Sequence, residues 1–402
     1  MAPTSMESKH SSSKANNAVL EDDDNQKTSA GAGGRGRCYF SELPWHIMLE
    51  ILLKLHIEAV IRCRYVCKAW RELLLDPSFA KLHCASTPMG VVLQSSLFPH
   101  GNSGGLYLLE PQEQEPSSII AKFNQFPYLE STLVNSCHGL ICSCDILMAD
   151  PIYISNPITG EYLILPKGET KPDFGQFVSG FGFSPKTKQY KVVKYSESLE
   201  IYTLGSGTTW RRTEHVPPAR HRSLFGTFVN GALHWLVKLP NGSVLIRSFD
   251  LDNEKFLTIP LPLSRCSDAS FKSSNLGILG DCLSLSSIVM DDASGWDIEI
   301  WVMKEYGVRE SWIRELVIKS LSPWEQGWNP EHVQVINVLK NGEIVINCGG
   351  CPVIYNVGQE SFRLLKPNGI FLTHVNAIAH ASSFVSLKDI IILGDGSEVG
   401  EF

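Results

Sequence analysis

The chain has 402 residues, 43% of them hydrophobic and 19% charged, the proportions of an ordinary globular protein with room for two or three domains. Lys and Arg number 35 against 42 Asp and Glu, a formal charge of −7, which argues against general nucleic-acid binding because that affinity rests on neutralising phosphates. Eleven cysteines, an odd number scattered along the chain, point to reduced thiols and not to a secreted disulfide scaffold. No stretch approaches the roughly 18 apolar residues of a membrane span. The opening MAPTSMESKH lacks the apolar core of a secretory signal, and Glu21, Asp22, Asp23 and Asp24 are unlike an acid-poor transit peptide. Cytoplasm or nucleus is the expected location.

Residues 1–37 are Ser, Asn, Asp, Gly and Ala with almost no large apolar side chain, too few to offset the entropy of ordering, so a disordered tail is expected. Its GAGGRGR stretch, Gly31–Arg37, faintly suggests a glycine–arginine RNA-binding repeat but has only two arginines, which suits a flexible tail better. From Ser41 to Phe79 the periodicity is helical. Pro44 suits a first turn, where its missing N–H costs nothing. Ile47, Ile51 and Leu55, with Met48 and Leu52, predict one apolar stripe. A second helix is predicted over Ile57–Tyr65 and a third over Cys67–Leu75, which Asp76-Pro77 should stop because the residue before proline avoids helical geometry. Three short helices cannot hide this many large apolar side chains, so the surplus must dock on the chain's own β region or on another protein.

The residues of this segment resemble an F-box: Leu43-Pro44, Ile47, Glu50-Ile51-Leu52, Leu55, Ile61-Arg62, Arg64-Tyr65-Val66-Cys67-Lys68-x-Trp70 and Asp76-Pro77-x-Phe79 keep its spacing. One departure is Leu55-His56, where the family often has Leu-Pro. The resemblance implies an F-box over residues 38–84 that binds a Skp-type adaptor, and through it cullin and RING subunits. Carried over position by position, the adaptor contacts fall on Leu43, Pro44, Ile47, Ile51, Leu52, Leu55, Ile61, Arg62, Val66, Cys67, Lys68 and Trp70, with Trp70 belonging as much to the core as to the interface. The alternative is a helical hairpin packed on the β region, which leaves the Val-Cys-Lys-x-Trp signature without a reason.

From about Val91 onward, short runs rich in Val, Ile, Tyr, Phe and Trp alternate with turn signals, as in an all-β protein. The runs repeat. SNPITGEYLILP (Ser155–Pro166), SFDLDNEKFLTIP (Ser248–Pro260) and YNVGQESFRLL (Tyr355–Leu365) share one pattern of strand, polar turn, aromatic and strand. Upstream lie the turn-and-strand openings His138-Gly139-Leu140, Asn230-Gly231-Ala232-Leu233, Gly280-Asp281-Cys282-Leu283 and Asn341-Gly342-Glu343-Ile344, with Phe181–Tyr195 opening one more unit. Repetition in fixed order predicts a propeller with about five visible blades and a sixth closed by Asn376–Leu387 pairing with the strands after Gly90. The uneven spacing leaves a β-sandwich as the alternative. The fold class expected is therefore mainly β with a small α domain: a three-helix F-box, then a six-bladed propeller-like domain over 90–390 and a tail over 391–402. Asn156-Pro157-x-Thr159-Gly160, Gly180-Phe181-Gly182-Phe183, Val229–Trp235 and Ile298-x-Ile300-Trp301-Val302-Met303 resemble the F-box-associated interaction domain of plant F-box proteins, which implies recruitment of a protein substrate for ubiquitination.

Catalytic motifs do not emerge, and no cofactor, metal, nucleic acid or membrane is expected. Cys348-Gly349-Gly350-Cys351 has redox or zinc spacing, but a strand follows it where a redox pair wants a helix, so a hairpin fits better. Cys142 and Cys144 share a strand face and read as buried small hydrophobes, not as a zinc set with Cys137 and His138. His234 beside Trp235 reads as a packed or rim histidine. For the substrate, Trp324 and Trp328 in the loop Ser322–His332, and Arg220 in the loop His215–Arg222, are candidate anchors; the alternative is that these tryptophans plug the domain's own surface. The expected function is a non-catalytic substrate receptor of a Skp–cullin–F-box ligase. The alternatives are an F-box scaffold without ligase activity, a propeller enzyme with its polar residues in the central channel, and a carbohydrate-binding receptor.

Overall fold

A computed structural model describes residues 43–87, 89–95, 105–110, 118–123, 131–145, 150–169, 177–196, 198–216, 218–263, 268–291, 295–319, 332–365, 375–391 and 399–401. The tail 1–37, Trp324 and Trp328 lie outside them. Residues Pro44–Phe402 form one compact unit.

Three short helices open it: α1 (Trp45–Lys54), α2 (Ile57–Cys63) and α3 (Lys68–Leu74). Met48, Leu52, Ile57, Val60, Trp70 and Leu74 turn inward and make their common core. Asp76-Pro77 does end α3, but it also starts a fourth helix that the sequence reading missed, α4 (Pro77–Ser86). Asp76 caps it by accepting from Ser78 N–H at 2.7 Å, and Pro77 takes the first turn.

The rest is six antiparallel sheets. Blade 1 has β1 (Gly90–Ser95), β2 (Gly105–Glu110) and β3 (Ser118–Phe123). Blade 2 has β4 (Thr132–Cys137), β5 (Leu140–Cys144), β6 (Ile152–Asn156) and β7 (Glu161–Ile164). Blade 3 has β8 (Val178–Ser184), β9 (Gln189–Tyr195), β10 (Ser198–Thr203) and β11 (Arg211–His215). Blade 4 has β12 (Arg220–His221), β13 (Thr227–Val229), β14 (Ala232–Lys238), β15 (Val244–Asp250) and β16 (Lys255–Ile259). After α5 (Asp268–Ser273), blade 5 has β17 (Ser274–Leu279), β18 (Cys282–Asp291), β19 (Gly295–Met303) and β20 (Trp312–Ile318). Blade 6 has β21 (Val333–Val338), β22 (Ile344–Cys348), β23 (Cys351–Asn356) and β24 (Ser361–Leu364). Then β25 (Val375–His380), α6 (Leu387–Ile391) and β26 (Val399–Glu401) complete the chain's elements. The propeller expectation therefore holds, and the sandwich alternative is excluded. The repeated turns are what the propeller uses: the His138, Asn230, Gly280 and Asn341 turns each join the first two long strands of a blade.

The ring closes as the sequence suggests. β25 pairs with β1 from Gly90↔His380 to Ser95↔Val375 and becomes the inner strand of blade 1. The end of the chain is more than a tail, because β26 pairs with β7 as a fifth strand of blade 2.

Burial follows the wedge between neighbouring blades. Val134, Ile154, Phe181 and Val192 fill blades 2 and 3; Tyr195, Leu233, Trp235 and Phe249 fill blades 3 and 4; Ile246, Leu285, Met303 and Trp312 fill blades 4 and 5. Near the axis, side-chain amides bridge adjacent inner strands where no strand ladder runs. Asn135 bonds both the N–H and the carbonyl of Phe181. Asn275 donates to Val333 O at 3.1 Å while Gln334 donates back to Leu276 O at 3.0 Å, and Asn376 donates to Leu133 O at 2.9 Å.

After β25 the chain crosses blade 2 as a strap, residues 381–387, gripped by buried polar groups. Asn156 donates to the carbonyls of Ser383 (3.0 Å) and Val385 (2.7 Å). The Glu161 carboxylate accepts from Ser386 Oγ (2.9 Å) and Leu387 N–H (2.6 Å). Gly139, at φ +82°, lets the strap approach: a Cβ there would lie 2.8 Å from Ser383 N. The strap's Phe384 meets Phe79 at 5.6 Å and His83 at 5.2 Å between ring centroids, so α4 rests on it.

Asn156 is wholly buried, and Asn156→Ala should cost about 2–3 kcal/mol by orphaning two carbonyls; denaturant melts would read this, and no loss would contradict the strap's role. Burial holds His83, His221, His234 and His380 neutral, each lowered to about 4. The unfolded chain takes up these protons near pH 6.5 and the folded chain only near pH 4, so stability complete above pH 6.5 is lost as pH falls from 6.5 to 4. Unfolding free energies from urea melts should therefore drop between pH 7 and pH 5, by on the order of 1 kcal/mol per histidine per pH unit at most; a flat profile would contradict the burial.

Candidate functional site

On the helical segment the sequence-predicted contacts divide by exposure. Pro44, Ile47 (37% exposed), Leu55 (36%), Arg62, Val66 (51%) and Lys68 reach the surface, and Leu43, Ile51, Ile61 and Cys67 are half-buried. Leu52 and Trp70, at 0% and 5% exposed, lie in the core of the helical segment, the place the sequence reading allowed for Trp70. Arg62 pairs with Glu58 at 2.6 Å and Lys68 with Glu72 at 3.5 Å, each one helical turn apart, so these cations are solvated helix-face pairs.

The sequence reading missed Trp45, Tyr65, Leu75 and Leu82, exposed at 64%, 86%, 56% and 47%. Tyr65 falls within the span expected for the second helix, but that helix ends at Cys63, and the turn that follows leaves the ring in solvent. About half of the exposed large apolar side chains among the described residues lie in this short segment. Such a concentration marks a protein-binding surface.

The propeller offers two faces. The turns at residues 138–139 and 157–160 of blade 2, and the equivalent described turns of blades 3 to 6, lie on the face where α4 and the strap join. The connections between blades start and end on the opposite face. Arg220, exposed on β12, belongs to that second face. Arg222 Nη2 lies 3.2 Å from His332 Nδ1, which brings the ends of the two predicted substrate loops together. A cavity of about 150 Å³ lies on the axis, lined by β4, β17, β21, β25 and residues 223–228. Among the described residues, no Asp, Glu, Lys, Arg or His lines it.

The other candidate chemistry resolves into packing. Cys142 and Cys144 are buried free thiols, and burial pushes Cys144 up to about 12. Cys348 and Cys351 flank a Gly349-Gly350 hairpin turn with both glycines at positive φ, and burial pushes Cys348 up to about 12. Neither pair is poised as a nucleophile. No His, Cys, Asp or Glu cluster among the described residues could hold a metal ion. His234 is buried, its Nδ1 3.1 Å from Thr227 O within blade 4 and its Nε2 2.6 Å from Tyr306 OH, so one nitrogen orients the ring and the other pins the blade 5 hairpin to blade 4.

Comparison with known proteins agrees with this geometry. Residues 40–82 match the F-box domain, and residues 100–386 match the F-box associated beta propeller domain. An Arabidopsis thaliana F-box protein is 31% identical over 365 residues, covering 79% of this chain and 84% of its own. An F-box/kelch-repeat protein of the same plant is 27% identical over 348 residues, covering 79% and 91%. Among solved structures, TolB from Acinetobacter baumannii aligns over 78% of this chain and 73% of its own at 12% identity, with a TM-score of 0.38, too distant to inform function. With an adaptor-type helical segment ahead of a six-bladed propeller, the chain belongs to the family of F-box proteins that carry an F-box-associated β-propeller domain.

Proposed function

We propose that the protein is the substrate receptor of a Skp–cullin–F-box ubiquitin ligase, binding a Skp-type adaptor through α1–α3 and a protein client through the propeller, in the nucleus or cytoplasm. The observation that carries it is the exposed apolar surface of the F-box, Trp45, Ile47, Leu55, Tyr65 and Val66, on helices whose α4 rests against the propeller's own strap. A receptor needs no catalytic group of its own. It needs a fixed geometry that holds a client lysine near a ubiquitin-loaded partner, which raises effective concentration. The Phe79–Phe384–His83 cluster supplies a packed joint for that purpose. The propeller face away from α4, where Arg220 lies and where the predicted tryptophan loop starts and ends, is the surface proposed for the client.

Capture by a purified Skp-type adaptor tests the proposal. Ile47→Glu with Leu55→Glu should cut binding at least tenfold with the melting temperature unchanged, because both side chains are at the surface. Leu52→Ala and Trp70→Ala should instead lower stability by about 2–5 kcal/mol, as core truncations do. Failure of the folded wild-type protein to bind adaptor would overturn the receptor proposal. Adaptor binding without ubiquitin transfer to any client would favour a scaffold.

A further inference from the structure

The axial cavity is lined by the propeller alone, apart from the exposed apolar surface of the F-box helices. Its volume, about 150 Å³, is that of a cavity known to accept benzene in another protein. Its walls combine two kinds of group. Phe225, Ile278 and Ile378 give apolar surface. Asn135, Gln334 and Asn376 give amides, and their orientation is set by the bonds that bridge the blades. Asn135 spends both ends on Phe181. Gln334 and Asn376 each donate from the amide nitrogen to a main-chain carbonyl, which leaves the amide oxygen as an acceptor on a cavity-lining residue. Among the described residues, no Asp, Glu, Lys, Arg or His lines the cavity. An ion entering it would shed hydration without meeting a counter-charge. A neutral ligand with hydrogen-bond donors would meet apolar walls and two acceptors already held in place, so it would not have to order them.

We propose that the axial cavity is a binding site for a small neutral molecule: an apolar ring bearing an N–H or O–H donor. The site is independent of adaptor binding, since its lining comes from the propeller's inner strands and none of it from α1–α4.

Benzamide and benzoate, alike in shape but neutral and anionic, are the probes. Titrated into the full-length protein and followed by ligand-observed NMR, benzamide should bind saturably and at least tenfold more tightly than benzoate. Ile378→Phe, which fills the cavity, should weaken benzamide at least tenfold while leaving the melting temperature and adaptor capture unchanged. Should that variant fail to fold, Ile278→Phe, on the blade 5 wall of the same cavity, makes the same test. Equal binding of the two probes, undiminished benzamide binding by a folded filled variant, or no saturable binding, as for a cavity that holds only water, would each overturn the proposal.

Discussion

The strap at residues 381–387 is the constraint on which the relation of the two parts depends. Asn156 and Glu161, both buried on blade 2, grip it from below through four hydrogen bonds. Phe384 projects from it and packs with Phe79 and His83 of α4. A polar clamp on one side and an aromatic joint on the other convert a flexible crossing into a mount. Buried polar groups of this kind are costly when unpaired and specific when satisfied. Here they define where the chain lies, and the aromatic rings supply the contact area.

The ring beneath is held by two different forces at two radii. Between the blades, aliphatic and aromatic side chains form successive wedges, such as Phe181 with Ile154 and Trp235 with Leu233. Toward the axis the inner strands draw together, and side-chain amides make the cross-blade bonds there. Those amides therefore serve the fold first. The cavity chemistry follows from them, because each one that donates across a blade boundary leaves its oxygen fixed.

Much of this was legible in the sequence, for identifiable reasons. Gly-containing turns and the strand-turn-aromatic-strand pattern recur because each blade needs the same tight reversals. Closure by the strand near Asn376 was legible because five units were visible and a ring must be closed by the ends of its chain. The F-box spacing was legible because adaptor-facing and core positions share one helical period. That same sharing is why Leu52, a core side chain, stands among the expected contacts: periodicity identifies apolar positions without saying which side of a small bundle each faces. α4 was missed because Asp-Pro reads equally as a stop and as a cap followed by a first-turn proline. The strap was invisible because its grip comes from Asn156 and Glu161, more than 200 residues earlier in the chain, and no local pattern records such a pairing. The sequence shows the Arg220 and Trp324 segments only as two proline-bearing connections; the Arg222–His332 contact that joins their ends is tertiary.

The placement of β25 and Phe384 near the end of the chain has a consequence for biogenesis. During synthesis the F-box helices leave the ribosome some 300 residues before the ring that supports them can close. Until His380 has paired with Gly90 and Phe384 has emerged, Phe79 lacks its partner on the strap and blade 1 lacks its inner strand. A chain interrupted anywhere in blade 6 would carry helices able to fold locally but no mount to aim them. The order of assembly thus reserves a supported F-box for chains translated through the strap.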